Sequence, residues 1–238
     1  YMTAIQAATA ESIRFSRVNR ATVRSFRDLW LLNTWHNISY GDADMEDFMD
    51  DFKNCPAIIV SAGPSLDKNI RLLEKAKDKA LVIAVGSAMT ILEAREIKPH
   101  LRMVIDPDFL NEEIFRNLDT NEIPLAYSEH SYYKILPDYN APKIQINLEI
   151  NSSITQHLRE ISGITKKTID SGFSVANVAA NLLSFWKCNP IVFVGQELAY
   201  TEERLHAKGS WDNEFESKYI FKHFIRKDIN GQDVYTDE

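Results

Sequence analysis

Several short stretches of this chain place amides, hydroxyls and carboxylates in patterns suited to a phosphorylated ligand. Ser61-Ala62-Gly63-Pro64-Ser65-Leu66 follows the apolar run Ala57–Val60. A strand handing over to a helix leaves backbone N–H groups unpaired beside the positive helix end, which favours an anion. Gly63 lets the backbone approach a ligand closely. Pro64 suits a first helical turn, where its missing N–H costs nothing. Ser65 offers a hydroxyl to a phosphate, or a cap to the helix. The segment lacks the later glycines of the dinucleotide fingerprint and the Lys-Ser/Thr pair of a Walker loop. An ordinary capped turn remains the alternative.

Further stretches repeat the theme. Val85-Gly86-Ser87 and Val104-Ile105-Asp106-Pro107-Asp108 each follow an apolar run. Two carboxylates one residue apart can hold a divalent metal and a diphosphate, although Asp-Pro also initiates turns. In Asp170-Ser171-Gly172-Phe173-Ser174, Ser171, Gly172 and Ser174 can cap a helix or hydrogen-bond a ribose or phosphate. Ile191–Val194 runs into Gly195-Gln196-Glu197, and His206 and Trp211 sit in a polar stretch just beyond. A neutral histidine there can take a proton from a hydroxyl; a lone loop histidine is also commonly just exposed. Trp211 can cover a ligand or pack locally.

The elements that must position these residues follow from hydropathy. The continuous apolar run at 57–60 predicts a strand buried on both faces; a second apolar run lies at 80–85, a third strand at 101–105, and further strands are expected at 123–127, 143–146 and 191–194, the last again buried. Amphipathic spacing predicts helices at 66–77, 87–96, 151–160, 174–187 and 218–227. Repeated strand-helix-strand units argue for a parallel sheet with right-handed crossovers. Ligands then lie at the carboxyl ends of the strands, where all the stretches above converge. The reading is an α/β, Rossmann-like, mostly parallel sheet with helices on both faces, over residues 53–238. A helical lead-in over 1–52 precedes it: a long helix at 3–38 and a short acidic helix from about Asp44 to Phe52. Arg14, Arg17, Arg20, Arg24 and Arg27 form a basic face, either solvated against the acidic stretch 44–51 or a landing surface for an acidic partner. Residues 201–217 read as a long loop of the lid type.

Composition sets bounds on function. The chain has 238 residues and 45% hydrophobic content, enough for one sizeable core. A formal net charge of −7 argues against non-specific nucleic-acid binding, which needs clustered positive charge. Two isolated cysteines, Cys55 and Cys188, read as small core residues in a reducing compartment. No apolar run approaches the ~20 residues of a membrane span. The start at Tyr1 and the stop soon after Asn230-Gly231 suggest an excerpt of a longer protein.

Taken in order, several strings resemble the bacterial motility accessory factor family over about residues 30–238. They are Ile59–Leu66, Ile97-Lys98-Pro99 before Val104–Pro107, Ser171-Gly172 with Ser174–Ala176, Val194–Thr201, His206-Ala207 and Val234–Asp237. The core also resembles bacterial sialyltransferases. The resemblance implies a cytoplasmic glycosyltransferase moving a pseudaminic- or legionaminic-type nonulosonic acid from a CMP-activated donor to Ser/Thr of flagellin. By it, Ser61, Gly63, Ser65, Gly86, Ser87, Ser171, Gly172 and Glu197 would line the CMP site, along with Ala62, Pro64, Leu66, Asp106, Gly195 and Gln196. His206 would be the base, with Glu197 beside the chemistry. Glu197 stands where the pattern expects aspartate, and Gly86-Ser87 replaces a more polar pair, so donor choice or activity can differ. Archaeal 6-hydroxymethylpterin diphosphokinases share the Gly-Pro-Ser-Leu opening, and Asp106/Asp108 loosely match their paired aspartates. Diphosphate transfer from ATP-magnesium is therefore an alternative. A flagellin-binding module with a vestigial nucleotide site is another.

Overall fold

The computed structural model describes residues 2–149, 161, 166–172, 174–198, 206–211, 224–227 and 233–236. A 36-residue helix, α1 (Met2–Asn37), comes first. The strands are β1 (Ala43–Asp44), β2 (Ala57–Val60), β3 (Leu81–Val85), β4 (Leu101–Val104), β5 (Leu125–Ser128), β6 (Lys143–Ile146), β7 (Leu148–Glu149), β8 (Ile169–Asp170), β9 (Ile191–Val194), β10 (Phe224–Lys227) and β11 (Asp233–Thr236). The remaining helices are α2 (Leu66–Ala76), α3 (Ala88–Glu93), α4 (Asn111–Phe115) and α5 (Val175–Phe185).

Seven strands form one sheet in the order β1-β6-β5-β4-β3-β2-β9, and every pair is parallel. After β1 at the far edge, the chain crosses to β2, steps strand by strand to β6 beside β1, then returns to lay β9 on the other side of β2. The strand order reverses between β2 and β9, which makes their carboxyl ends the switch point where open α/β sheets bind ligands.

Alternation of side chains feeds two cores. Val60, Val82, Ala84 and Val104 face one layer with Leu66, Ile70, Leu73, Ile91 and Leu92 of α2 and α3. Ala57, Ile59, Leu81, Ile83, Leu101 and Met103 face the other with Val178, Ala179, Leu182 and Leu183 of α5. Helices thus cover both faces of the central strands, whereas β9, expected to be buried, is an edge strand with Val192 and Phe193 each 46% exposed. Arg102 breaks the pattern: its guanidinium is buried in the first layer, bonded to Glu93 at 2.5 Å and to the Asp119 carbonyl at 2.5 Å.

Three expectations are corrected. The acidic stretch does not form an α-helix: Ala43–Asp44 joins the sheet edge, and Met45–Phe48 is a single 3-10 turn capped by Asp44. Tertiary contacts decide this, because Met45 is fully buried and its carbonyl accepts from the Trp186 indole at 2.7 Å. The acidic side chains do not meet α1 either; Asp44 pairs with Lys166 at 2.8 Å and Asp50 with Lys187 at 2.6 Å. Arg20, Arg24 and Arg27 are exposed, so this part of the basic face is solvated. Finally, Phe224–Lys227 is not helical but pairs antiparallel with Asp233–Thr236. The helix expected at 151–160 and the stretch 218–223 lie outside the described residues. Cys188 is buried, and burial pushes its thiol up to about 11; Cys55 is only half-buried, and both are free. Among the described residues, no helix is long and apolar enough to cross a membrane.

Candidate functional site

The β2–β9 switch point is built by two loops folded onto each other. The Ser61 amide donates to the Val194 carbonyl and the Gly63 amide to the Gly195 carbonyl, both at 2.9 Å. This extends the parallel ladder past the strands and clamps Ser61–Ser65 against Gly195–Glu197. Glycine is required on both sides. Gly195 has φ +72°, in the left-handed region, and a Cβ there would press into the Ser61 carbonyl. A Cβ at Gly63 would run into the Glu197 carboxyl and the Gly195 carbonyl.

Glu197 reaches across this junction to the N-terminus of α2. Its carboxylate accepts from the Ser65 amide at 2.5 Å and from the Ser65 hydroxyl at 2.6 Å. Ser65 therefore does not cap its own helix. Ala62, Pro64 and Leu66 are buried beneath the corner and give it shape, while Gly63 and Ser65 are partly open. Gln196 is half-buried between the two glycine-proximal turns.

His206 and Trp211 fall on this same rim. The Ala207 amide donates to the Ala62 carbonyl at 2.7 Å, which sets His206 directly beside the Ser61–Ser65 corner. The segment 206–211 is pinned from outside by Arg95, which donates to the Lys208 carbonyl and pairs with Asp67 of α2 at 2.8 Å. Its far end closes over β3: the Trp211 indole donates to the Ser87 hydroxyl at 3.0 Å. The segment is thus a strap laid over the ends of β2 and β3, and the rest of 201–217 lies outside the described residues. Gly86, at φ +53°, lies within 3.8 Å of Val175 at the start of α5 for any added Cβ, so the β3 end and the α5 entry are neighbours.

At that entry, Ser174 takes the capping role: its hydroxyl accepts from the Asn177 amide at 3.3 Å. The Gly172 amide donates to the Asp170 carboxylate at 2.9 Å, and Gly172 has φ +57°. Ser171 is half-buried at the mouth of this turn. Phe173 lies outside the described residues.

The β4 end carries Asp106. The residue is exposed at the rim, while packing around its carboxyl group and, secondarily, the Asp108 charge push its pKa above the ordinary carboxylate value. Asp108 caps a turn instead, accepting from the Leu110 amide at 2.9 Å. Among the described residues no group of three or more His, Cys, Asp or Glu gathers to hold a metal ion. A magnesium ion at this edge would take Asp106 as one ligand and rely on substrate phosphates for others.

Sequence reasoning missed what holds this half of the rim. Asn33 of α1 donates to the Pro107 carbonyl at 3.1 Å and the His130 carbonyl at 2.9 Å, and accepts from the Tyr133 amide at 3.3 Å. Asn37 donates to the Glu129 and Ser131 carbonyls at 3.1 and 2.6 Å. Both asparagines are fully buried. Two asparagines four apart within a helix are the available signal, since asparagine disfavours helix interiors.

A family model described as 6-hydroxymethylpterin diphosphokinase MptE-like matches residues 32–203. An uncharacterised protein of Treponema pallidum (strain Nichols) is 24% identical over 103 residues, covering 43% of this chain and 49% of that protein. The structure of the MAf glycosyltransferase from Magnetospirillum magneticum AMB-1 matches with a TM-score of 0.60 at 18% identity, over 78% of this chain and 28% of that one. The chain therefore spans about half of the curated relative and under a third of the solved protein. At 18% identity the likeness to the solved structure is one of fold alone.

Proposed function

The chain belongs to the 6-hydroxymethylpterin diphosphokinase MptE-like family, and we propose that it works as a glycosyltransferase on a nucleotide-activated donor bound at the β2–β9 switch point. The observation that carries this reading is the Ser61–Ser65 corner at the start of α2, with His206 set beside it by the Ala207–Ala62 hydrogen bond. On this reading the corner receives the donor phosphate and His206, next to it in the strap, takes up a proton. The fold shared with a MAf glycosyltransferase adds support.

The donor proposed is a CMP-activated nonulosonic acid, and the acceptor a Ser or Thr hydroxyl of flagellin, in the cytoplasm. The acceptor oxygen attacks the anomeric carbon as the bond to the CMP phosphate breaks. His206 takes the hydroxyl proton, and the Ser65 amide and hydroxyl receive the charge that collects on the departing phosphate. Gly86, Ser87, Ser171 and Gly172 border the nucleoside side of the crevice. The strap 206–211 limits water access, with Trp211 over Ser87. A divalent metal, if used, would sit at Asp106 against the phosphates.

Calorimetry with CMP and with ATP-magnesium tests the class. CMP binding without ATP binding is the expected result; tight ATP-magnesium binding alone would transfer the assignment to diphosphate transfer, which the family description and the Asp106 edge favour. In cells lacking the gene, His206→Ala should restore flagellin glycosylation at about 1% or less of wild type, as expected for loss of a general base. Full glycosylation by that variant would remove His206 from the chemistry. Flagellin capture with no nucleotide binding would identify a docking module instead.

A further inference from the structure

In this structure the charge that the α2 N-terminus attracts is already supplied from within. The Glu197 carboxylate occupies both Ser65 donors, the amide at 2.5 Å and the hydroxyl at 2.6 Å. Neighbouring amides of the corner are committed elsewhere. Those of Ser61 and Gly63 go to Val194 and Gly195, and those of Leu66, Asp67 and Lys68 close turns onto Gly63, Pro64 and Ser65. Pro64 has no N–H to give. Ser65 therefore carries the pair of donors that a phosphate oxygen would use. At the head of the same segment, the Ser61 hydroxyl is buried, at 7% exposure, with no hydrogen-bond partner among the described residues.

Gly63 permits this self-occupation, since any Cβ there would strike the Glu197 carboxyl. The carboxylate also has somewhere to go: Glu197 is half-buried, and the next residue, Leu198, is 79% exposed. We propose that Glu197 is a built-in competitor for the donor phosphate, so that the resting crevice is self-liganded and a nucleotide binds by displacing the Glu197 side chain from Ser65. This rests on the reading that the corner receives phosphate. Two like-charged groups cannot share the Ser65 donors, so affinity is lowered by the fraction of molecules in which the carboxylate is seated. The displaced carboxylate then stays within a side chain's length of the bound phosphate, which hastens release of the spent nucleotide.

The test is CMP titration by calorimetry on the whole chain, comparing wild type with Glu197→Gln and Glu197→Asp, with the Ser65 amide followed by NMR. Glu197→Gln removes the charge. Glu197→Asp keeps the charge but withdraws it by one carbon–carbon bond, about 1.5 Å, out of hydrogen-bond reach. Both should bind CMP more tightly, Glu197→Gln by about tenfold, the order expected when a charge-assisted contact no longer competes. The free Ser65 amide resonance of both variants should shift from its wild-type position. Equal or weaker CMP binding by the variants, with wild type still binding, overturns the competitor role and leaves the nucleotide site standing. An unmoved Ser65 resonance in both variants also overturns it. Failure of all three proteins to bind CMP or inorganic pyrophosphate, with the Ser65 resonance shifted in the variants, shows that Glu197 does seat there but that the corner is no phosphate site. In that case the reading of function and the inference resting on it both fall.

Discussion

Where β2 and β9 meet, the rim is held by backbone laid against backbone, and its side-chain contact is a single carboxylate that a competing anion could replace. Above β4 and β5 the rim is held by Asn33 and Asn37, fully buried carboxamides that bond four carbonyls between them. A half-open hydrogen bond such as Glu197–Ser65 is readily exchanged for another ligand. A buried one is expensive to break, because its partners are left without water. One half of the rim is arranged to swap partners and the other to stay put, as expected when a mobile reactant is worked against a fixed wall.

The contrast can be broken hardest at Gly195. With φ +72° and the Ser61 carbonyl against it, Gly195→Ala must either strain or part the β2–β9 junction. We expect a loss of about 3 kcal/mol in chemical denaturation, together with loss of CMP binding. An alanine variant of unchanged midpoint would mean that the Ser61 carbonyl does not press against Gly195 in solution. Next comes Asn33→Ala, which removes three hydrogen bonds from the fixed half. It should cost about 2 kcal/mol yet leave the CMP affinity of the folded fraction close to wild type. A large fall in affinity at full stability would show that the wall is part of the seat.

Asp106→Asn should give the smallest change and sharpens the comparison through pH. Because the folded-state pKa is raised, the folded protein holds this proton more firmly than the unfolded chain does. Asp106 therefore penalises folding once pH exceeds its folded pKa, and that penalty fades as pH falls toward the ordinary value of 3.8. The asparagine variant should be slightly more stable than wild type at pH 7, with the gap closing on acidification. A gap that widens as pH falls would mean that Asp106 is stabilised as a carboxylate.

The sheet was legible because apolar runs and apolar–polar alternation mark its strands: 57–60, 143–146 and 191–194 stand in the structure with the expected bounds. The clustering of the Ser61, Gly86 and Glu197 segments followed from the rule that parallel strands end together. Other features were hidden for a physical reason. Met45–Phe48 has helix-compatible residues, but burial of Met45 under Trp186 leaves room for one turn only. Phe224–Lys227 becomes a strand because Asp233–Thr236 supplies a partner, which no local period reveals. That Glu197 reaches Ser65 depends on how far the β9 loop folds back, a distance no spacing rule contains.

Ser65 and Glu197 are 132 positions apart. On a ribosome, β2 through β6 emerge and can pair in order, each new strand beside its predecessor. Ser65 at the α2 N-terminus gains its carboxylate partner only once β9 has been made and laid back along β2. A newborn chain therefore leaves the Ser65 donors uncovered while the 132 positions up to Glu197 are translated, and the arrival of Glu197 marks the end of that interval.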